Sequence, residues 1–599
     1  MDSGHAIQGL RVDADALWGR RPNGRGSVRM RKDVAKYSRG VSASLAPTRS
    51  VALGLLVLGM GCAGPSRNVP PPPANVREAV SPPSPPSGVF LRPDAVGLRA
   101  SFRTQQPKQV FRFDDDAAEI RKETWKVLGA GLSLVDAGVA ATMPVSSFDI
   151  SIAPDSKAHD RVYPALTRAG EGWMIYAPHL HIEGEAIAGH LSIEVPSDWT
   201  VVGRRDATGA LVGDGYVFAG PSAYVHRGAA DVVSAPGTPS WLLREIDQAA
   251  SKTAAFYERR LGVPLREHPT ILVAHQPERQ GSFHGDTTSG AMMSLRFYGS
   301  GWNERDPAAS ERLADFVDHE LFHFWNGELA HPSNGHPWLH EGGANYAALL
   351  ASRERGTMSQ ERFSETLNRH LERCQAAQGN RDLRTNGPKG GFAVYACGTV
   401  FQWAIDIGLR KTSNGQRDVL SWWKDVLVKA QSDGGTYSVQ SSFGLVGPEA
   451  ARAASVLLDG SDERTWAAFA EAVGRHGVPL ALRRQAASDL ASGLSHVLAI
   501  HCGRNYGFFP QPDHVKLDTG DHCGPLNGDL EVDSVAGFNP VSDSSAMYDK
   551  VRQLCAAQTP IDFRWKGKLV ARVPCTKSLR EPTMAWQIPK GSQELPVGP

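Results

Sequence analysis

The sequence predicts a multidomain α+β protein with a β-rich N-terminal domain, a mainly helical middle domain and a mixed, disulfide-containing C-terminal domain. The 599 residues allow about four domains at roughly 150 residues each. Hydrophobic residues make up 41% of the chain and charged residues 21%, a composition that supports packed cores and excludes wholesale disorder. Strand-like runs precede residue 240, and helical periodicity follows it.

The charge balance excludes one class of partner. The 64 Lys and Arg residues nearly cancel the 63 Asp and Glu residues, which leaves a net charge of +1. Because no global positive field would attract a polyanion, we expect no nucleic-acid partner.

Residues 1–64 are typical of an export signal. The run VALGLLVLGM, Val51 to Met60, is too short for the ~20 residues of a membrane span, but it suits a signal-peptide core with basic residues before it. The following Gly61-Cys62-Ala63 resembles a bacterial lipoprotein signal, which implies lipidation of Cys62. A plain secretory signal, or an apolar stretch without a role, is the alternative. We expect an exported chain that is anchored to a bacterial membrane if Cys62 is acylated and faces the periplasm or the outside.

Residues 65–100 are predicted to be a proline-rich linker. Ten of the 40 prolines lie between Pro65 and Pro93. Such a composition favours extended polyproline II and builds no core, so the segment would act as a stalk.

Residues 101–240 predict the β-rich domain, and residues 241–494 predict the helical one. The segment His190–Val195 alternates apolar and polar residues, whereas Trp241–Gly262 is helical and ends at a glycine. Strands are predicted at 268–276 and 289–299, and a long helix runs from Asp306 to about Leu329. Further helices are predicted at 337–354, 359–378, 392–411 and 416–431.

The long helix carries His319-Glu320-Leu321-Phe322-His323. Residues four apart share one helical face, so both imidazoles can bind one metal ion, and Glu320 can reach a metal-bound water. The alternative is a pair of helix histidines with a structural role. The spacing therefore predicts a zinc site with Glu320 as the general base.

A third ligand is predicted on the next helix. Glu341 follows His323 after an interval of 17 residues and can complete a His₂Glu site with one open position. The competing third ligands are His336, His340 and Asp318. Asn345 is four residues beyond Glu341 and could hydrogen-bond a ligand histidine.

HELFHFWN followed by WLHEGGANY resembles the gluzincin metallopeptidases, the glycyl aminopeptidase family first and the aminopeptidase N family more distantly. The resemblance implies a thermolysin-like helical catalytic domain. It also implies Zn²⁺ held by His319, His323 and Glu341, a peptide or protein substrate, and aminopeptidase activity. The interval before Glu341 is one residue shorter than in aminopeptidase N relatives, which leaves the subfamily open.

Tyr395 is predicted to act with the metal. The segment Val394-Tyr395-Ala396-Cys397-Gly398-Thr399 resembles the Tyr-x-x-Gly helix start of these families, whose Tyr donates a hydrogen bond to the developing oxyanion. Such a phenol would stabilise charge that grows only in the transition state. A lone Tyr is otherwise a core aromatic residue.

Gly290, Ala291 and Met292 are predicted to bind substrate. They resemble the first three letters of the G-A-M-E-N strand of aminopeptidase N relatives, whose Glu binds the free amine of the substrate. Met293 replaces that Glu here. The strand could still pair with a peptide backbone, but an aminopeptidase would need another acid, and Glu328 and Asp286 remain open.

The seven cysteines agree with export. Setting Cys62 aside leaves an even number, and the simplest of the 15 connectivities pairs neighbours in sequence. The predicted disulfides are Cys374 with Cys397, Cys502 with Cys523, and Cys555 with Cys575. Six buried thiols are the alternative.

Within residues 495–599, a small-residue turn, a predicted helix and the predicted strands FRW and LVARV resemble the second half of a PDZ module, which glycyl aminopeptidases often carry. A disulfide-stapled β-rich cap is the other interpretation. For the whole chain, a surface lipoprotein that binds peptides without cleaving them and an endopeptidase are the alternatives to an aminopeptidase.

Overall fold

A computed structural model describes residues 87–592, apart from 114–116, 137, 156–162, 186–190, 223, 280–281, 334, 504–505 and 512. The predicted signal, Cys62 and most of the predicted linker lie outside the described residues. The linker prediction is wrong at its end, because residues 88–93 already form a strand that pairs in a sheet.

The N-terminal part is β-rich, as predicted. It contains a six-stranded sheet of order β3-β5-β2-β1-β8, in which β4 also pairs with β5, and a four-stranded sheet of order β6-β7-β10-β9. Aromatic side chains such as Phe102, Phe111 and Phe148 fill the core of this part. The elements are β1 Gly88–Pro93, β2 Leu98–Arg112, α1 Ala118–Thr124, β3 Trp125–Leu128, β4 Leu132–Val135, β5 Gly138–Ile152, β6 Leu166–Ala169, β7 Gly172–Tyr176, β8 Leu191–Ile193, β9 Thr200–Val202 and β10 Tyr216–Gly220.

A five-stranded sheet of order β11-β12-β13-β15-β14 follows. Strand β15 pairs parallel with β13 on one side and antiparallel with β14 on the other, so β14 is the edge strand. The elements are β11 Tyr224–Arg227, β12 Asp231–Ser234, α2 Ser240–Leu261, β13 Thr270–Gln276, β14 Ser282–Thr288 and β15 Met292–Tyr298.

The helical part packs on this sheet. Asp306 caps the long helix by accepting from the backbone N–H of Ala309 at 2.8 Å, and the helix continues after His323 as a six-residue π-helix, Phe324–Leu329. The elements are α3 Pro307–His323, β16 His331–Pro332, α4 Pro337–Glu354, α5 Gln360–Gln378, α6 Leu383–Asn386, α7 Phe392–Thr412, α8 Val419–Ser432, β17 Thr436–Tyr437, α9 Val439–Phe443, α10 Arg452–Asp459 and α11 Thr465–Arg475.

Helix α7 lies at the centre of this part. Among the described helices, it is the one that is long and apolar enough to cross a membrane. However, 83% of its apolar window is buried inside the protein, as expected for a core helix.

The C-terminal part combines two three-stranded sheets with two helices. Its last strand returns to the helical part, because β25 pairs with β18 and Trp586 exchanges hydrogen bonds with Gln375 of α5. The helix followed by two strands agrees with the pattern that suggested a PDZ module, but that identification stays a prediction. The elements are β18 Ala481–Arg484, α12 Ala486–Cys502, β19 Gly507–Pro510, β20 Val515–Asp518, β21 Asp529–Val532, β22 Ser534–Val535, α13 Ser544–Ala556, β23 Ile561–Trp565, β24 Lys568–Val573 and β25 Met584–Gln587.

The three predicted disulfides are confirmed. The structure pairs neighbouring cysteines along the sequence, and each bond closes a loop of similar length. The pairs are Cys374–Cys397, Cys502–Cys523 and Cys555–Cys575.

Candidate metal centre and cavity

The two histidines of the motif lie side by side near the end of α3. Their Nε2 atoms are 3.1 Å apart, and both side chains are about nine-tenths buried. Because one helical turn separates them, the backbone alone gives them this shared face.

Glu341, from the first turns of α4, completes the group. Its Oε2 is 3.3 Å from Nε2 of His319 and 3.5 Å from Nε2 of His323. A tetrahedral zinc ion with ligand distances of about 2.0–2.1 Å requires ligand atoms separated by about 3.3–3.4 Å. The three donor atoms therefore fit Zn²⁺, and they form a group of metal-binding type in which each residue offers one ligand atom.

His323 and Glu341 each stabilise the charged form of the other. Burial disfavours the charged imidazolium, but the Glu341 carboxylate outweighs it and raises the pKa of His323 to about 9. Burial would likewise raise the pKa of Glu341, but His323 and hydrogen bonds from both histidines hold it well below its usual range. The Glu341 carboxylate therefore stabilises positive charge at this position, whether a protonated histidine or a metal ion carries it.

The competing third ligands have other partners. His336 Nε2 lies 2.8 Å from the carbonyl of Arg384. Asp318 is fully buried and accepts hydrogen bonds from Thr253 and Arg355. The ring of His340 stacks on His323 with 4.3 Å between ring centroids, but its Nδ1 pairs with the hydroxyl of Tyr437 at 3.0 Å.

The predicted role of Asn345 belongs to Asn326 instead. Asn345 donates to Thr399 Oγ1 at 2.8 Å and lies 3.3 Å from His370, because its position on α4 faces α7 and α5. Asn326, in the π-helix, lies with its Oδ1 2.9 Å from Nδ1 of His323. Asn326 belongs to the sequence motif. However, the motif alone does not show whether the ligand histidine hydrogen-bonds to a residue three positions further along or to one on the next helix.

The direction of this hydrogen-bond chain fixes the histidine tautomer. The Nδ2 of Asn326 donates to the His340 carbonyl at 2.9 Å, so its Oδ1 must accept from His323 Nδ1–H. Tyr437 donates to the Asn326 carbonyl at 2.8 Å and therefore accepts from His340 Nδ1–H. His323 thus keeps its proton on Nδ1, which leaves Nε2 as the atom that would bind a metal.

Glu320 lies beside the ligands and is held from across the cavity. The hydroxyl of Thr287, on the edge strand β14, lies 3.0 Å from both the backbone carbonyl and Oε2 of Glu320. Burial raises the pKa of Glu320. A carboxyl group with a raised pKa, adjacent to a metal, has the character of a general base. Nothing local in the sequence indicated Thr287.

Tyr395 reaches the site because α7 crosses α4 closely. A Cβ on Gly342 would lie 2.2 Å from the backbone of Gly398, so the two glycines permit a contact that no larger residue allows. Gly342 of α4 therefore packs on α7, whereas its neighbour Gly343 faces Trp423 of α8. Tyr395 is 38% exposed, and its ring centroid lies 5.9 Å from that of His319. The Cys374–Cys397 disulfide fixes α7 to α5 two residues further on.

Substrate binding by Gly290, Ala291 and Met292 stays a prediction, although these residues do not lie on a free strand edge. Gly290 and Ala291 form the turn between β14 and β15, with φ of 78° and 51°, and Met292 begins the central strand β15. Because β15 is paired on both sides, its backbone has no free edge for a peptide. The free edge beside the metal ligands belongs to β14, whose sequence SFHGDTT does not predict a strand.

Glu320, His323, Glu341 and Tyr395 line one cavity of about 430 Å³. Its volume lies in the range of about 300–1,000 Å³ that is usual for small-molecule sites. One wall is the end of β14, a second is the α3–π-helix–α4 region with Tyr395, and a third comes from the β-rich part through Tyr163, Tyr176 and Asp214.

The fold is similar to that of one solved aminopeptidase N family structure. An aminopeptidase N family protein from Idiomarina loihiensis matches with a TM-score of 0.54 and 12% identity, over 84% of this chain and 98% of that chain. Native yeast LTA4 hydrolase matches with a TM-score of 0.38 and 11% identity, over 68% and 72% of the two chains. No protein-family model matches the sequence, and neither does any curated protein. The first match shows that the chain shares its fold with an aminopeptidase N family protein.

Proposed function

We propose that this protein is a zinc-dependent metallopeptidase that hydrolyses peptide bonds and acts as an aminopeptidase. The observation that carries the proposal is the His319–His323–Glu341 group, whose three donor atoms have zinc-like separations and lie at a cavity that also contains Glu320 and Tyr395. The predicted gluzincin resemblance agrees with the shared fold.

The metal would be held by His319, His323 and Glu341, and it would supply a water of lowered pKa and a polarising charge for the substrate carbonyl. Glu320 removes the proton from the attacking water through its carboxylate and delivers it to the nitrogen of the leaving amine. Tyr395 donates its O–H to the carbonyl oxygen as negative charge develops there. Asn326 keeps His323 in the required tautomer throughout.

The substrate backbone has a binding surface on the free edge of β14. An extended peptide that added to this edge would form main-chain hydrogen bonds, as in other cases of strand addition. Gly285, Asp286, Thr287 and Thr288 of this strand all line the cavity. The same strand carries the Thr287 hydroxyl that contacts Glu320, so β14 would position both the substrate backbone and the general base.

We also propose that the protein is exported and attached to a bacterial membrane through Cys62. Three disulfides favour an oxidising compartment, in line with the signal-like residues 1–64. Release of the protein from membranes by a Cys62→Ala substitution, with export retained, would support the lipid anchor. Retention on the membrane would contradict it.

Metal analysis and peptide digestion together test the function. We expect one zinc per chain and release of residues from the N-terminus of a peptide library, read out by mass spectrometry. Cleavage at internal bonds would favour an endopeptidase instead. A protein without zinc and without cleavage would favour the non-catalytic peptide-binding lipoprotein.

A further inference from the structure

The carboxylates around the cavity differ in whether a cation already neutralises them. Glu320 and Glu341 belong to the metal site. Asp286 forms a 2.5 Å ion pair with the buried Arg296, and it also accepts from the Tyr216 hydroxyl at 3.1 Å. Asp286 is therefore a structural charge and a poor ligand for a second cation.

Asp214 is likewise neutralised. It forms an ion pair with Arg204, and the same guanidinium also contacts Glu267 at 3.1 Å. Its side chain lines the cavity from the β-rich part. A cationic group of the substrate would have to compete with Arg204 for the Asp214 carboxylate.

Glu328 lacks such a cation. No Lys, Arg or His in the described part of the chain forms an ion pair with it, although His331 lines the same cavity. Its Oε2 accepts the backbone N–H of Gly290 at 3.0 Å. This bond joins the β14–β15 turn to the π-helix, so the two walls meet at Glu328. Burial raises the pKa of Glu328, and the backbone N–H of Gly290 and the nearby His331 offset this only in part.

The direction of β14 places one end of a bound peptide next to Glu328. Strand β14 runs from Ser282 to Thr288 and leads into Ser289 and Gly290. A peptide that pairs antiparallel with this edge has its N-terminus beside the last residues of β14. A peptide that pairs parallel would bring its C-terminal carboxylate against Glu328, where like charges repel.

We propose that Glu328 binds the free α-ammonium group of the peptide substrate and so restricts cleavage to N-termini. This inference rests on the proposed peptidase function and assigns the amine-binding role, open between Glu328 and Asp286 in the sequence, to the carboxylate without a cation. Glu328 contacts the substrate and not the reacting atoms, so it determines specificity.

The test compares a peptide with its N-acetylated form on full-length, zinc-loaded protein. Wild type should cleave the free peptide with a higher kcat/KM, by about 10- to 100-fold, the range for a hydrogen bond to a charged group. Glu328→Gln keeps the shape and the contact with Gly290 but should reduce that ratio to near one. The matched control Asp214→Asn also removes a cavity carboxylate and should leave the ratio unchanged.

Measurements of peptide binding test the role of Glu328 independently of the proposed peptidase function. Titration calorimetry with a Glu320→Gln protein and with Glu320→Gln/Glu328→Gln needs no turnover, and only the first should prefer the free peptide. If wild type cleaves nothing but this preference is seen, the peptidase proposal fails and the role of Glu328 stands. An equal ratio in wild type and Glu328→Gln, equal binding of both peptides, or a loss confined to Asp214→Asn would overturn the inference.

Discussion

The cavity has a helical wall, made by α3, the π-helix and α4, and a strand wall, made by the β14–β15 hairpin. The sequence predicted the helical wall closely, including α4 at 337–354 and the facing of His319 and His323. For the other wall it predicted substrate contacts at Gly290, Ala291 and Met292, whereas the free strand edge beside the metal ligands belongs to β14. The spacing of residues along a helix determines which side chains share a face. The place of a strand in a sheet depends instead on pairing partners elsewhere in the chain.

The largest effect is expected on the helical wall, for Glu320→Gln. Loss of the general base should lower kcat by about 10²- to 10⁴-fold, while His319, His323 and Glu341 keep the metal. Peptide hydrolysis and zinc content are measured on the same preparation. Turnover near the wild-type rate would refute the role of Glu320, and loss of zinc would make the variant uninformative about proton transfer.

The strand wall can be tested at Met293, the position at which the resemblance to the G-A-M-E-N strand would place an amine-binding Glu. Its side chain is fully buried in the central strand β15. Met293→Glu should therefore destabilise the fold by about 3–5 kcal/mol, as an uncompensated buried charge does, and should not create an amine site.

The matched control at this position is Met293→Leu, which should cost less than about 1.5 kcal/mol. Denaturant unfolding provides both values. A stable Met293→Glu protein with stronger binding of free N-termini would restore the original assignment of this strand.

The limits of prediction differ in kind between the two walls. Glu341 was predictable because the motif and a short loop bring it back to α3. The edge strand β14 was missed because SFHGDTT has no alternating apolar pattern, and its place depends on pairing with β15 across the turn. Tyr437 and Thr287 were unpredictable for the same reason, since their contacts with Asn326 and Glu320 join distant parts of the chain.

An intermediate effect is expected for Asn326→Ala. Without the acceptor for His323 Nδ1–H, the tautomer is no longer fixed, and zinc affinity should fall by about 10- to 100-fold. Asn345→Ala is the matched control, because its amide pairs with Thr399 and His370 away from the ligands. Competition with a zinc chelator gives both affinities. A larger loss in Asn345→Ala would reverse the assignment that the structure makes.

The smallest effect is expected for Thr287→Val, which removes the hydroxyl that contacts the backbone carbonyl and Oε2 of Glu320 while nearly keeping the side-chain volume. A hydrogen bond contributes about 0.5–1.5 kcal/mol, so kcat should fall by about 2- to 12-fold. Since Thr287 positions Glu320 and does not touch substrate through this hydroxyl, KM and the melting temperature should stay close to wild type. Thr287→Ser restores the hydroxyl and should restore kcat. If the serine variant is as slow as the valine variant, the hydroxyl is not what holds Glu320, and the two walls act independently in catalysis.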